Sequence, residues 1–203
     1  VVIPGANNSL MPEDLRGARE TLETAKVILL QLEIPMETVE AVIAMAKEAD
    51  VPVILDPGPA RSLKQELLAK VDIITPNEHE AQVLAGEKLQ DIDDARKVAV
   101  KLLGYGIKTV LLKLGGDGVI IATDGQVEHI PAHKVDVEDT TAAGDSFAGG
   151  LAVALAEGYS LRDAVLFANA VGALAVTKLG AQSAIPTRRE VEAFMAERGV
   201  VLG

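Results

Sequence analysis

The residue pattern best suited to chemistry lies at residues 139–145, which read DTTAAGD and open directly into a predicted helix. At the start of that helix, the amides of Ala142, Ala143 and Gly144 would be unpaired and could receive negative charge that develops on a transferred phosphoryl group. Asp145 would lie beside this anion hole, where a carboxylate can orient a hydroxyl and accept its proton. The complete segment therefore predicts phosphoryl transfer, whereas a loose Gly-Asp pair would more often be an ordinary helix cap.

A second candidate is the pair Asn77 and Glu80, within TPNEHEA at residues 75–81. Asn is a good N-cap residue, and Glu three positions later is the usual partner in a capping box. Taken alone, the pair favours a cap over a chemical role.

Two weaker signals stand at predicted strand ends. The sequence KLGGDG at residues 113–118 contains glycines that would let the backbone approach a ligand closely, although a turn after a strand would use the same glycines. Glu33 stands at the carboxyl end of a predicted strand, where open α/β sheets bind ligands, but a lone Glu there would more often be merely solvated. The three histidines, His79, His129 and His133, are not spaced as a metal cluster.

The elements that must position these residues alternate along the chain. Runs rich in Val, Ile and Leu, typical of strands that are buried on both faces, recur at residues 26–32, 51–55, 71–75 and 107–114. Helical patterns cover residues 12–25, 35–49, 63–69, 77–85 and 91–103, and Pro12 and Pro35 suit first helical turns. This alternation predicts right-handed crossovers and a largely parallel sheet with helices on both sides.

The pattern changes after residue 114. Strand-like stretches at 118–122 and 126–130 flank Asp124-Gly125, a strong hairpin-turn signal, so we expect a small antiparallel edge. Two closely packed helices rich in small residues follow from residue 142, and a third at 186–197 ends the chain. We therefore predict an α/β fold, Rossmann-like with three α/β/α layers and a mostly parallel sheet, as a single nucleotide-binding and catalytic domain over residues 1–203.

Composition limits the functions that are open to the chain. Its 203 residues, 49% of them hydrophobic, can bury one substantial core. A net charge of -11 and a scarcity of aromatic residues argue against a nucleic-acid partner. Apolar runs end well before the roughly 18 residues that a membrane span needs, so no membrane association is expected. There is no cysteine, which excludes disulfides and thiolate metal sites, and we expect a cytoplasmic location.

Together these motifs resemble the ribokinase family of sugar kinases, whose signature is the DTTAAGD segment followed by a helix of small residues. The resemblance extends over essentially the whole chain, through GAN at 5–7, QLE at 31–33, TPNEHEA at 75–81, LGGDG at 114–118 and GAQ at 180–182. It implies a ribokinase-like fold and ATP-dependent transfer of the γ-phosphoryl group to the 5-hydroxyl of a sugar, D-ribose above all. It also implies that Asp145 contacts the sugar and is the catalytic base.

The resemblance further implies a nucleotide site. Asn77 would lie near the phosphates, and Glu80 would help to hold Mg²⁺ and its waters. Asn169 matches a position that contacts adenine, with core packing in an apolar helix as the alternative, and Glu33 matches a position at the sugar site. The remaining residues around the nucleotide would be Lys113, Leu114, Gly115, Gly116, Asp117, Gly118 and Gly144.

A monovalent cation, K⁺, is implied beside the anion hole. Several of its ligands would be backbone carbonyls, and the matching positions are Asp139, Thr141, Ala175, Lys178 and Gly180. The family often supplies a serine near the end of this loop, where this chain has Ala184 beside Ser183. We therefore expect backbone ligation there.

The chain begins without a methionine on the apolar run Val1-Val2-Ile3, which predicts missing upstream sequence. Members of the family carry a further segment before this point, which supplies a lid and sugar-binding residues. Without that segment we expect weak sugar affinity and an exposed sheet edge that favours self-association, in the first instance as a homodimer.

Two sets of alternatives stay open at this point. Within the family, nucleoside and fructose kinases are close alternatives. In a different class, the chain would be a catalytically silent fragment, natural or cut by design, that binds nucleotide or has a structural role. Asp145 discriminates between the classes, because only a chain selected for chemistry needs a base there.

Overall fold

The computed structural model describes residues 3–203, so the first two residues of the opening apolar run, Val1 and Val2, lie outside the described residues. Six strands form one sheet in the order in which they occur in the sequence. They are β1 (Ile28–Leu30), β2 (Val53–Leu55), β3 (Ile73–Ile74), β4 (Thr109–Lys113), β5 (Val119–Thr123) and β6 (Gln126–Ile130).

The first four strands are parallel to one another. The register pairs Ile28 with Val53, Ile54 with Ile73, and Ile74 with Val110. All three residues of β2 are buried, as the continuous Val, Ile and Leu run predicts for a strand with both faces covered. The predicted α/β fold, with a mostly parallel sheet and a small antiparallel edge, is confirmed.

The last two strands follow from local turn chemistry. Asp124 and Gly125 join β5 to β6, and Gly125 has a φ of 78°, a left-handed conformation that glycine adopts without steric cost. The hairpin predicted from Asp124-Gly125 is therefore present at the end of the strand order.

Among residues 3–203 the α-helices connect the strands and then end the chain. Their faces follow the 3.6-residue period; in α2, for example, Val39, Ile43 and Ala46 are all fully buried. The helices are α1 (Arg19–Glu23), α2 (Met36–Glu48), α3 (Gln65–Leu68), α4 (Glu78–Ala85), α5 (Ile92–Leu103), α6 (Ala143–Ala156), α7 (Leu161–Ala175) and α8 (Arg188–Glu197). None of them has the length and apolar character that a membrane crossing requires.

One helix prediction is wrong in detail. The pattern over residues 12–25 predicts a single helix, but the structure has a 3₁₀ helix at Pro12–Ala18 followed by the short α1. Gly17 lies in this stretch, and its low helix propensity weakens a continuous α-helix. Pro12 occupies the first helical turn as predicted, whereas Pro35 is the N-cap of α2 rather than its first residue.

The chain divides into two compact units. The first contains the residues up to Lys113 together with Ile120–His129, and the second contains Leu114–Val119 with Ile130–Gly203. Within the second unit α6 and α7 pack closely, because Gly150 leaves room for Val171: a Cβ at Gly150 would lie 2.9 Å from Val171 Cγ2. The small residues of these two helices thus permit the close packing predicted from the sequence.

Candidate active site

The segment that precedes α6 forms a tight, left-handed turn. Ala142 has φ 58° and ψ 15° and is the N-cap of α6, and its carbonyl accepts the first helical hydrogen bond from the amide of Ser146 at 2.8 Å. A non-glycine residue in this conformation is uncommon and strained. The first amides of a helix have no acceptor within the helix, and an anion hole requires such amides.

The amides at this helix start are not all equally available. The amide of Ala143 donates to the Thr140 carbonyl at 3.3 Å, so the prediction that it is unpaired is wrong, although the bond is long. The amides of Gly144 and Asp145 have no hydrogen-bond partner within residues 3–203. Asp145 is exposed in the first turn of α6. The described geometry thus leaves amides and a carboxylate accessible at one helix end.

Asp139 organises the loop in front of this turn. Its Oδ1 atom accepts hydrogen bonds from the Thr141 amide at 2.9 Å and from the Thr141 hydroxyl at 2.6 Å, and its Oδ2 atom accepts one from the Gly180 amide at 3.0 Å. These bonds, with the Thr141 hydroxyl first, lower the pKa of the Asp139 carboxyl. Three of the residues predicted for the K⁺ site are therefore brought together.

The end of α7 and the loop after it carry the other residues predicted for K⁺. The Ala175 carbonyl accepts from the Lys178 amide at 3.4 Å, and the Lys178 Nζ atom pairs with Glu190 at 2.9 Å. Gly180 has a φ of 103°, and a Cβ there would lie 2.6 Å from the Ser183 Oγ atom. The Lys178 side chain is thus engaged elsewhere, and any ligand from this residue would be its backbone carbonyl.

In the first unit, Asn77 and Glu80 form the predicted capping box at the start of α4. The Glu80 amide donates to Asn77 Oδ1 at 2.9 Å, and the Asn77 amide donates to Glu80 Oε2 at 2.7 Å. Glu80 is nevertheless buried, with 8% of its surface exposed. Burial raises the pKa of the Glu80 carboxyl, and the negative charge of Asp56 raises it further. The hydrogen bond from the Asn77 amide lowers the pKa but does not outweigh burial. A buried carboxylate is more than a cap requires.

Asp56 is a site residue that sequence reasoning missed. Its Oδ2 atom accepts a hydrogen bond from Lys113 Nζ at 2.7 Å, and both side chains are largely buried. Asp56 follows β2 directly, and Lys113 is the last residue of β4. Asn77 and Lys113 form an isolated parallel β-bridge through their backbones. The signal that could have found Asp56 was the one applied to Glu33, an acidic residue at the carboxyl end of a strand.

These residues fit a magnesium ion that is held largely by waters and phosphates. Glu80 Oε1 and Asp56 Oδ1 both lie within 4 Å of the point where a Gly58 Cβ would stand, so the glycine leaves both oxygens uncovered. Among the described residues no group of three or more acidic or histidine side chains forms a closed metal cage. Mg²⁺ typically binds through one or two carboxylates and substrate phosphates, so this donor set suits it.

The glycine-rich segment after β4 forms a tight turn in the second unit. The Leu114 amide donates to the Gly118 carbonyl at 2.7 Å across this turn. Gly118 has a φ of 97°, and a Cβ there would lie 2.6 Å from the Ala132 amide nitrogen, so backbone packing demands this glycine. Gly115 and Gly116 have open space beside them. Of these three glycines, only Gly115 and Gly116 leave room for a ligand to approach. Asp117 lies between Gly116 and Gly118 in the sequence.

Two predicted site residues remain, Asn169 in the second unit and Glu33 in the first. Asn169 is buried in α7, and its Nδ2 atom donates to the Pro131 carbonyl at 2.9 Å, the core-packing role that was the alternative to an adenine contact. Its adenine contact stays a prediction. Glu33 is exposed just beyond β1, and the Leu32 amide beside it donates to the Gly58 carbonyl at 2.8 Å. That bond ties the Glu33 segment to the loop after Asp56.

Comparison with known proteins decides the family. The profile of the pfkB family carbohydrate kinases matches residues 1–188. The chain belongs to this family. It is 42% identical to the ribokinase of Haemophilus influenzae over 96% of its own length and 41% identical to that of Staphylococcus aureus over 94%. It spans 64% and 63% of the length of these two relatives.

Solved structures of the same fold include ribokinases. The Thermotoga maritima ribokinase is 43% identical, with a TM-score of 0.87 over 97% of this chain and 64% of that one. The Arabidopsis thaliana ribokinase, whose structure is a complex with ribose and ATP, is 34% identical, with a TM-score of 0.90 over 96% of this chain and 64% of that one. The family member described here is thus a ribokinase-like chain in both sequence and fold.

Proposed function

We propose that this chain is the nucleotide-binding and catalytic part of an ATP-dependent sugar kinase of the ribokinase type, which transfers the γ-phosphoryl group to the 5-hydroxyl of D-ribose. The observation that carries the proposal is the 42% identity to a ribokinase along 96% of the chain. In support, Asp145 is exposed in the first turn of α6, three residues after the left-handed Ala142, as a base beside an anion hole would be.

Each cluster then has a proposed role. Asp145 would accept the proton of the sugar hydroxyl, while the amides of Gly144 and Asp145 at the start of α6 hold the charge of the transferred group. Mg²⁺, when bound, neutralises phosphate oxygens, and Glu80 and Asp56 would hold it. Asp139, Thr141 and the carbonyls of the loop at 175–180 would hold K⁺. The proposed location is the cytoplasm.

Two alternatives have specific support. The deoxyribokinase of Salmonella typhi is 34% identical over 97% of this chain, which keeps a related sugar open as the acceptor. The chain spans 64% of the Haemophilus influenzae ribokinase, so a non-catalytic fragment that binds nucleotide is the second alternative.

Self-association belongs to the same proposal, because within the described residues β1 is an edge strand paired with β2 only. Light scattering that finds only monomer at micromolar concentration would contradict a homodimer.

The decisive experiment measures ADP release from Mg-ATP in the presence of K⁺, with and without D-ribose. The test variant is Asp145→Asn. The matched control is Asp163→Asn, because Asp163 occupies the third position of α7 as Asp145 does of α6. We expect ribose-dependent ADP release that Asp145→Asn removes and Asp163→Asn retains.

The other outcomes are equally informative. Ribose-dependent release that survives Asp145→Asn would rule out the proposed base. Release with deoxyribose but not ribose would favour the alternative acceptor. ATP binding without any release would favour the non-catalytic fragment.

A further inference from the structure

The segment at residues 133–137, shortly after β6, has an unpaired backbone. It contains no helix, turn or bend. Its amides donate to no backbone carbonyl in the part of the chain that the structure describes, whereas the next amide, that of Glu138, donates to the Val176 carbonyl at 2.8 Å. An extended segment with free amides and carbonyls can accept a further strand. These residues are therefore suited to pairing with another chain.

A groove of about 710 Å³ lies along the same segment, within the second unit. Residues 134–138 line it together with Thr177, Phe194 and Arg198. Val137 is apolar and yet 61% exposed. A second strand would find room beside the segment, and contact with that strand would remove Val137 from water.

The charges of this segment alternate with apolar residues. Residues 134–138 read KVDVE, so the charged residues stand at even positions and the valines at odd ones. The side chains of Lys134, Asp136 and Glu138 are all exposed. Within residues 3–203 none of these three forms an ion pair. All three charges are therefore available to a second chain.

Two copies of the segment are complementary to each other. In a two-fold dimer the segment meets itself antiparallel. Opposite residues of an antiparallel pair either exchange hydrogen bonds or do not, so even-numbered residues face even-numbered ones. When the two-fold axis passes through Asp136, Lys134 faces Glu138 and Val135 faces Val137, each twice. Opposite charges and apolar pairs in these positions stabilise a pair of strands.

The other registers are less favourable. An axis through Val137 would set Asp136 against Glu138, and an axis through Lys134 would set two lysines against each other. An axis through Val135 would pair Lys134 with Asp136 but leave Glu138 without a charged partner. The register centred on Asp136 satisfies both Lys134 and Glu138, and its one unfavourable contact is that of Asp136 with its own copy.

We propose that the chain forms a two-fold homodimer through residues 134–138, in which Lys134 of each copy pairs with Glu138 of the other. A second copy is the partner because the order of charges in the segment is self-complementary. The surface contains no residue of the proposed nucleotide or sugar site, so the inference is independent of the kinase chemistry. It rests on the proposed self-association and assigns it to a surface other than the edge of β1.

The test is sedimentation equilibrium of the full chain over a range of concentrations at low salt, where ion pairs are screened least. Lys134→Glu and Glu138→Lys should each weaken dimerisation roughly 10-fold, because each sets like charges opposite one another twice. The double variant Lys134→Glu/Glu138→Lys should dimerise as the wild type does. An equimolar mixture of the two single variants should form heterodimers, in which every opposite pair again attracts.

The signs of the effects separate this pairing from general repulsion between acidic chains. Lys134→Glu makes the net charge of -11 more negative and Glu138→Lys makes it less negative, so global repulsion would change dimerisation in opposite directions. Asp136→Asn should strengthen the dimer, because it removes the contact between like charges at the two-fold axis.

The matched control is Lys64→Glu, at an exposed position of the first unit. It changes the net charge as Lys134→Glu does and should leave dimerisation unchanged. Thermal unfolding at a concentration where the chain is monomeric checks that each variant is folded.

The outcomes distinguish this surface from the proposed homodimer in general. A wild-type chain that stays monomeric would overturn both. A dimer that neither charge reversal weakens would overturn this inference alone and leave β1, whose residues Ile28–Leu30 carry no charge, as the pairing edge. A double variant that fails to recover dimerisation would overturn the pairing of Lys134 with Glu138, and weakening by Asp136→Asn would overturn the register.

Discussion

The carboxylate of Asp139 accepts a hydrogen bond from the Gly180 amide at 3.0 Å and thereby joins the loop before α6 to the loop after α7. The same carboxylate bonds to the amide and hydroxyl of Thr141 through its other oxygen. One side chain therefore fixes two segments that the sequence separates by 41 positions. The geometry of the proposed K⁺ site depends on this carboxylate even if its ligands are backbone carbonyls.

Replacing this carboxylate should destabilise the second unit in a pH-dependent way. We expect Asp139→Ala to lower the thermal unfolding midpoint at neutral pH. The hydrogen bonds lower the folded-state pKa of Asp139 below its ordinary 3.8, so its contribution is complete above 3.8 and is lost as the pH falls through the folded value. Thermal unfolding of both proteins from neutral pH to below 3.8 measures the difference.

The control for this prediction is Asp136→Ala, an exposed carboxylate in the same segment. It should leave the unfolding midpoint nearly unchanged. A gap between wild type and Asp139→Ala that persists at acid pH would mean that the carboxylate charge is not what holds the two loops.

The left-handed Ala142 gives a second prediction. Its φ of 58° costs roughly 1–2 kcal/mol for an L-residue, while glycine adopts this conformation freely but loses more chain entropy on folding. Ala142→Gly should therefore raise the free energy of unfolding by up to about 1 kcal/mol. Ala142→Val should lower it, because a β-branched residue is strained in this region. Urea denaturation measures both changes.

The matched comparison is Ala152→Gly in the interior of α6. There the backbone is helical, so the same change should cost roughly 1 kcal/mol. Equal destabilisation by Ala142→Gly and Ala152→Gly would show that the turn is not strained at Ala142.

Much of this fold could be predicted from the sequence, because the signals were local. Asp124-Gly125 marks a hairpin by its own backbone preference, and Asn77 with Glu80 marks a helix start by spacing alone. The pairing of Asp56 with Lys113 could not be predicted in this way. It exists because β2 and β4 flank β3 in one sheet, and strand order is a property of the whole chain rather than of either segment.

The opposite end of the sheet contains a carboxylate with a purely structural role. Asp72 accepts hydrogen bonds from the Val53 amide at 2.9 Å and from Lys47 at 3.1 Å, and it pairs with Lys108 at 2.7 Å. Burial opposes ionisation of Asp72, but the bond from Lys108 and then those from Val53 and Lys47 outweigh it and lower the pKa. The carboxylate thus ties α2, β2 and the segment before β4 together.

Asp72→Asn should lower the free energy of unfolding by about 1–2 kcal/mol at neutral pH, because it weakens several charge-assisted bonds of a partly exposed group. The difference should shrink as the pH falls below 3.8, where the unfolded-state carboxyl protonates first and the folded one later. Urea denaturation at both pH values measures it. Asp93→Asn, whose pair with Arg96 is exposed, is the control and should cost less than about 0.5 kcal/mol.

His133 is a further residue whose ionisation should control stability, this time at mildly acid pH. Its ring packs edge-on against Phe194 at 5.2 Å, and Arg198 lies over the same Phe194 ring at 3.6 Å. Burial lowers the pKa of His133 below its ordinary 6.5, and the charge of Arg198 adds to this shift. The folded protein therefore favours the neutral imidazole more strongly than the unfolded chain does.

The sign of the effect follows from the direction of this shift. Well above pH 6.5 the imidazole is neutral in both the folded and the unfolded state, so it does not affect the free energy of unfolding. Below pH 6.5 the unfolded chain takes up the proton first. The free energy of unfolding therefore falls as the pH drops toward the lower pKa of His133 in the folded protein. His133→Phe keeps the ring contact with Phe194 and removes the titration. Since no acceptor or donor contacts Nε2 within residues 3–203, the change should forfeit no hydrogen bond there.

Urea denaturation of wild type and His133→Phe on either side of pH 6.5 measures the effect. The wild type should lose stability on acidification over this range, and His133→Phe should lose less. His79→Gln, at an exposed position of α4, should follow the wild-type curve. If His133→Phe also follows the wild-type curve, then protonation elsewhere controls acid stability, and the contact between His133 and Phe194 tolerates a charged imidazole.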